Sequence, residues 1–209
     1  MSSKSLISWS GLALVLGGAL LALFVLVHPQ TEFTPEVMSR GIAKLAHNFH
    51  FAGAALVAFG LIGLHLRQME SAGRLGLLGF ILAFFGTVWF AGLGLMSFMA
   101  LPFIAAHAPD LLAKEGPFWS EPPSPLFLAG LVCFVLGYIL LGIAAFRGKV
   151  GARWSGLLFV PGALLSVIPP VVVPVPVLTV GGVLFGVGVA WMGYPLWRQP
   201  EVLAAQSDR

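Results

Sequence analysis

The residues of this sequence best suited to bind or react are its histidines, and four of the five fall near the ends of apolar runs: His28, His47, His50 and His107. Neutral imidazole is the commonest protein metal ligand, and its second ring nitrogen needs a partner of its own. His47 and His50 stand three residues apart, a spacing that lets two side chains of one helix face a common centre. Two cofactor readings follow. A divalent metal would be held by His28, His47, His50 and His107, with Glu32, Glu36 or Asp110 on the same side as a carboxylate ligand. A b-type haem would take His50, paired with His28 or His107, as its axial ligands. The plain alternative is that imidazole, apolar in body and polar at the tip, settles at a membrane interface without binding anything. No HExxH or comparably tight signature is present to decide between them.

The fifth histidine tests the haem reading. His50 and His65 are 15 residues apart, about 22 Å along a helix at roughly 1.5 Å per residue. This resembles the spacing by which membrane cytochrome b helices hold two haems. Such proteins need matching histidines on a second helix, and the third to sixth apolar runs have none. The resemblance covers one helix only, and His65 reads as a residue of the opposite interface.

The elements that must position these groups are set by composition. Of 209 residues, 58% are apolar and 9% charged, against about 25% charged in ordinary globular domains. So few charges cannot cover a soluble surface, so the chain reads as an all-α polytopic membrane protein, one domain over residues 1–209. The single cysteine, Cys133, excludes an internal disulfide and a thiolate cage. Six apolar runs predict a six-helix transmembrane bundle, with spans at about 7–27, 49–66, 75–99, 126–146, 154–168 and 178–197. The first is too long for the core of a cleaved signal and reads as a retained span.

Local signals refine this plan. Thr34, Pro35 and Glu36 form a helix-entry signal, so the second helix is expected to start at Pro35. Over its first turns Val37, Ile42, Leu45 and Phe49 make an apolar stripe, and Glu36, Arg40, Lys44 and His47 a polar one. Residues 100–125 read as a long outer loop between the third and fourth spans, interrupted by Pro102, Pro109, Pro117, Pro122, Pro123 and Pro125. PPVVVPVPV (Pro169–Val177) reads as an apolar, non-helical cover over the outer end, tolerated at membrane depth only where protein or water shields it.

Orientation follows from the basic residues. The N-terminus, the two short turns and the C-terminal tail carry eight Lys and Arg against three acidic residues. The other side carries Arg40, Lys44 and Lys114 against Glu32, Glu36, Asp110, Glu115 and Glu121. Both termini are thus expected in the cytoplasm, with the chain in the inner membrane. Trp9, Trp154, Trp191, Tyr194 and Trp197 fall near the inner interface and Trp119 near the outer one, as an aromatic belt requires.

No Asp, Glu, Lys or Arg lies inside a span, whereas ion-coupled transporters keep such groups in the bundle. The sequence therefore points to a membrane protein without catalysis of its own, either an accessory subunit for a partner membrane protein or a binder of a lipid-like, small hydrophobic ligand at its outer end. The alternative is the histidine site, with metal or haem supporting redox or hydrolytic chemistry. A facilitator of a neutral solute is the third reading. The basic turns are explained by topology and imply no nucleic-acid partner.

Overall fold

The structure, a computed structural model, describes residues 3–28, 34–113, 116–117, 124–147, 153–168 and 172–198. Glu32, Lys114, Glu115, Trp119, Glu121, Pro122, Pro123, Lys149 and the 199–209 tail lie outside these residues, as do 169–171 of the proline-rich segment.

The described chain is helical. Helix α1 spans Ser3–Val27 and α2 spans Pro35–Ser39. The helical stretch Gly41–His107 folds back on itself at Gly73, and its two arms are α3 (residues 41–72) and α4 (residues 74–107). Helix α5 spans Pro125–Arg147, α6 Gly156–Ser166 and α7 Val175–Arg198. Five of these, α1, α3, α4, α5 and α7, are long and apolar enough to cross a bilayer. Their outward faces carry Leu16, Leu23, Phe59, Leu78, Phe85, Leu126 and Leu136, all exposed. An apolar outside around an apolar inside belongs in lipid, where nothing is gained by hiding a leucine from its surroundings.

The expected fifth span is occupied, among the described residues, by a shorter apolar helix. Over 154–168 the chain makes a 3-10 turn at Arg153–Ser155 and then the 11 residues of α6. That is about 16 Å of helix, against roughly 30 Å of hydrocarbon. Pro161 lies within it, as expected. The third span is longer than expected, because α4 runs through Pro102 to His107, and the first part of the expected loop is helix. The proline-rich segment is likewise only partly irregular. Val175, Pro176 and Val177 form the first turn of α7, where a missing N–H costs nothing because first-turn donors have no intrahelical acceptor.

The helices pack in a ring, each antiparallel to the next. Gly17 and Gly53 join α1 to α3, Gly86 and Phe134 join α4 to α5, and Gly142 and Val160 join α5 to α6. Gly162 and Phe185 then join α6 to α7, and Gly18 and Gly186 join α7 back to α1. Ser8 Oγ donates to the Trp197 carbonyl at 3.2 Å, so the start of α1 lies beside the end of α7. We call this the terminal end; it also holds the α3–α4 turn, the end of α5 and the start of α6. The opposite, distal end holds the end of α1, the starts of α3, α5 and α7, and the ends of α4 and α6. Phe134, Tyr138, Phe159 and Phe185 fill the centre with ring centroids 4.8–5.9 Å apart. The one polar group there, the Tyr138 hydroxyl, shares a 2.9 Å hydrogen bond with Thr87 Oγ1.

Gly73 turns the chain between α3 and α4 with φ 53° and ψ −148°, a region essentially closed to residues with a Cβ. Nothing lies within 4 Å of where that Cβ would stand, so any cost of substitution is backbone strain. Gly73→Ala is expected to lower stability by about 1–3 kcal/mol, read as a fall in the unfolding midpoint in mild detergent.

Candidate functional site

The distal end is built from the α2 region upward. Thr34 (φ −93°, ψ 160°) caps α2, its Oγ1 accepting from the Val37 N–H at 3.4 Å. Its hydroxyl also lies beside Glu36 and, with a backbone hydrogen bond and Arg40, holds that carboxyl below its ordinary range. The expected single helix from Pro35 is broken at Arg40, whose ψ of 140° is extended. The break lets α2 fold over the end of the bundle. Val37 and Met38 of α2 pack with Ala43 of α3, Leu101 of α4 and Leu112 of the 3-10 turn Pro109–Leu112. Among the described residues, α2 and that turn cover this part of the distal end.

At the start of the second helix Val37 is buried and Glu36, Arg40 and Lys44 are exposed, but three members of the two stripes differ. Ile42 and Leu45 are 46% and 45% exposed, while His47 is 4% exposed and His50 9%. The buried side of α3 reads Ala43, His47, His50, Ala54, Val57, Leu61, Leu64 and Gln68. This is a seam of alternating three- and four-residue steps, the pattern by which one helix packs along another. Two of its positions, filled by apolar residues further along, are imidazoles.

Phe24 of α1 sits among three histidines. Its ring stacks on His50 at 4.5 Å and 15°, meets His28 edge-on at 5.1 Å, and lies 5.9 Å from His47. The His28 and His47 rings are 5.0 Å apart at 79°. Phe90 of α4 closes the far side of His50 at 6.0 Å. Gly94 lets α4 approach, since a Cβ there would stand 3.2 Å from His50 Cγ and 2.8 Å from the Phe51 nitrogen. Both ring nitrogens of His47 are buried without a hydrogen-bond partner among the described residues. No family model, curated protein or solved structure matches the chain.

Three of the four expected residues, His28, His47 and His50, thus come together. His107 is on the last turn of α4, exposed, stacked on Phe103 at 4.2 Å, with its Nδ1 hydrogen-bonded to the Phe103 carbonyl at 3.0 Å. Among the described residues no group of three or more His, Cys, Asp or Glu is disposed to hold a metal ion. The four histidines thus do not form one such group among the described residues, His107 making its ring contact and hydrogen bond within α4. His65 stacks on Phe80 at 4.3 Å across the α3–α4 hairpin, near the terminal end. Sequence reasoning missed Phe24. Its place one helical turn before His28, at i and i+4, was the available signal.

Chemically, the site is three imidazoles in an aromatic box. No carboxylate or ammonium is among the buried residues described.

Proposed function

We propose that this chain is an integral membrane protein without catalysis of its own, whose distal end holds a small hydrophobic molecule with a hydrogen-bonding group anchored at His47. One observation carries the reading: His47 occupies a packed seam position with neither ring nitrogen bonded. A neutral imidazole has one donor and one acceptor, and each left unmet in a buried place costs about 1–3 kcal/mol. A ligand hydroxyl or carbonyl, directly or through one water, recovers that cost. Of the two non-catalytic roles legible in the sequence, ligand holding is the one this feature supports. Native mass spectrometry of the protein released from membranes tests it, together with solvent extraction of the bound fraction. The expected result is one adduct of a few hundred daltons on the wild type that is lost in His47→Phe.

The same reading places the terminal end, with its excess of Lys and Arg, in the cytoplasm and the histidine box on the outer side of the inner membrane. A fluorescent protein fused after Arg209 is expected to fluoresce in cells, and an exported phosphatase at the same place to be inactive. The reverse pair of results would put the histidine box inside.

The 5.0 Å edge-on approach of His28 and His47 favours a second reading. Two imidazoles so placed can share a metal whose other ligands are exogenous, or one can serve a b-type haem. Elemental analysis and an absorption spectrum of the purified protein separate the two readings. A stoichiometric metal or a Soret band, abolished in His28→Ala, would displace the first. The facilitator of a neutral solute receives the least support, since the centre of the ring is filled by Tyr138, Phe159 and their neighbours.

A further inference from the structure

A cleft of about 400 Å³ opens between α5 and α6 at the terminal end, far from the histidine box. This volume lies within the range of ordinary small-molecule sites. Its shape follows from two glycines and a proline. Gly142 and Gly156 bring the helices together, a Cβ on Gly156 standing only 3.3 Å from Gly142 Cα. Beyond this pinch the faces part. Ile139, Ile143 and Phe146 line the α5 side, one helical stripe, and Leu157 and Pro161 the α6 side. Pro161 offers no N–H to the Leu157 carbonyl, which weakens the α6 ladder where the groove needs room. Because α6 is only 11 residues long, the groove opens sideways towards lipid, and Phe146 and Leu157 are 53% and 63% exposed.

One end of this apolar groove is charged. Arg147, in the last turn of α5, is exposed and lines the mouth. Trp154 meets Phe146 edge-on at 5.4 Å beside the mouth, the level at which amphipathic aromatic rings settle against headgroups. An apolar slot with a cation at its interfacial end matches one kind of molecule, a lipid with a negative headgroup.

We infer that the α5–α6 groove binds one acidic phospholipid from the leaflet at the terminal end, an acyl chain lying along Ile139, Ile143 and Leu157 and the phosphate held by Arg147. Interhelical pockets with basic rims recognise anionic headgroups in this way, and an ordinary annular lipid does not distinguish headgroups.

The test is native mass spectrometry of the full chain in mild detergent, with phosphatidylglycerol and phosphatidylcholine of identical acyl chains titrated in competition. One phosphatidylglycerol is expected to be retained about five-fold over phosphatidylcholine, the worth of one cation near a membrane surface. Arg147→Gln is expected to equalise the two lipids. Ile143→Trp, which fills the slot and leaves Arg147 in place, is expected to remove the retained lipid altogether. Size-exclusion profiles confirm that each variant is folded, and either variant alone suffices if the other is not. Equal retention of both lipids by the wild type would overturn the assignment. So would a preference that survives Arg147→Gln, or a lipid that survives Ile143→Trp, since the latter means headgroup attraction without a groove.

Discussion

Replacing Gly186 by leucine will push α7 away from α1 and cost the bundle about 3 kcal/mol, the upper part of the range for overpacking a well-filled contact. A Cβ at Gly186 would run into the Gly18 carbonyl and come within 2.8 Å of the Ala22 nitrogen. The reciprocal Cβ at Gly18 would meet the Gly186 carbonyl and stand 2.7 Å from the Ala190 nitrogen. These neighbours are backbone, so no side chain can swing aside. In lipid such close approach is itself the source of helix affinity, because apolar burial between helices gains little over burial in acyl chains. A loss of this size should lower the unfolding midpoint by roughly 6–12 °C for a chain of this length. Gly92 supplies the control. Nothing lies within 4 Å of its Cβ position, so Gly92→Leu should leave the midpoint in place. Equal midpoints for Gly186→Leu and Gly92→Leu would show that the α1–α7 contact is not a close-packed seam.

His47→Phe should separate stability from ligand holding. The imidazole is buried with two unpaired nitrogens, whose desolvation is uncompensated in the empty protein. A ring of similar shape without those nitrogens removes the cost, so the empty variant should be as stable as the wild type or about 1 kcal/mol more so. It should also lose its ligand, with retention falling at least ten-fold, because one hydrogen bond worth about 1.4 kcal/mol is a factor of ten in affinity. His47→Ala should lose ligand too, but with lower stability, since it opens a cavity beside Phe24. The pattern to look for is two variants equally poor in binding and opposite in stability. Unchanged retention in His47→Phe would remove His47 from the site. A destabilised His47→Phe would mean that the imidazole is already bonded within the folded protein, and the argument from its unmet nitrogens would fall.

The long spans were legible because length and apolarity are the only properties a spanning helix needs, and the runs over 7–27 and 126–146 have both. The cap at Thr34 and Pro35 was legible for the same local reason. What sequence reasoning placed wrongly depends on contacts between distant residues. Ile42 and Leu45 read as part of an apolar stripe opposite a polar one that included His47. In lipid the outward face is apolar as well, so the stripe carried no direction, and His47 and His50 turned inward. The proline rule failed at Pro102 and Pro176 in two ways. Pro176 sits in a first turn, where no bond is lost, and Pro102 is carried within the long helix α4. His28, His47 and His50 were named as candidates from residue type, but their meeting around Phe24 required knowing that α1 and α3 pack side by side.

The ring closes between α1 and α7. Some 170 residues separate Gly18 from Gly186, which at translation rates of about 5–20 residues per second is roughly 10–30 s of synthesis. Throughout that interval the α1 glycine face is in the bilayer without its mate. A nascent chain stopped short of α7 would offer this face to a sister chain, and pairing between two such fragments is the misassembly this architecture invites. The quality-control machinery of the membrane therefore meets this unpaired face in the interval before α7 arrives.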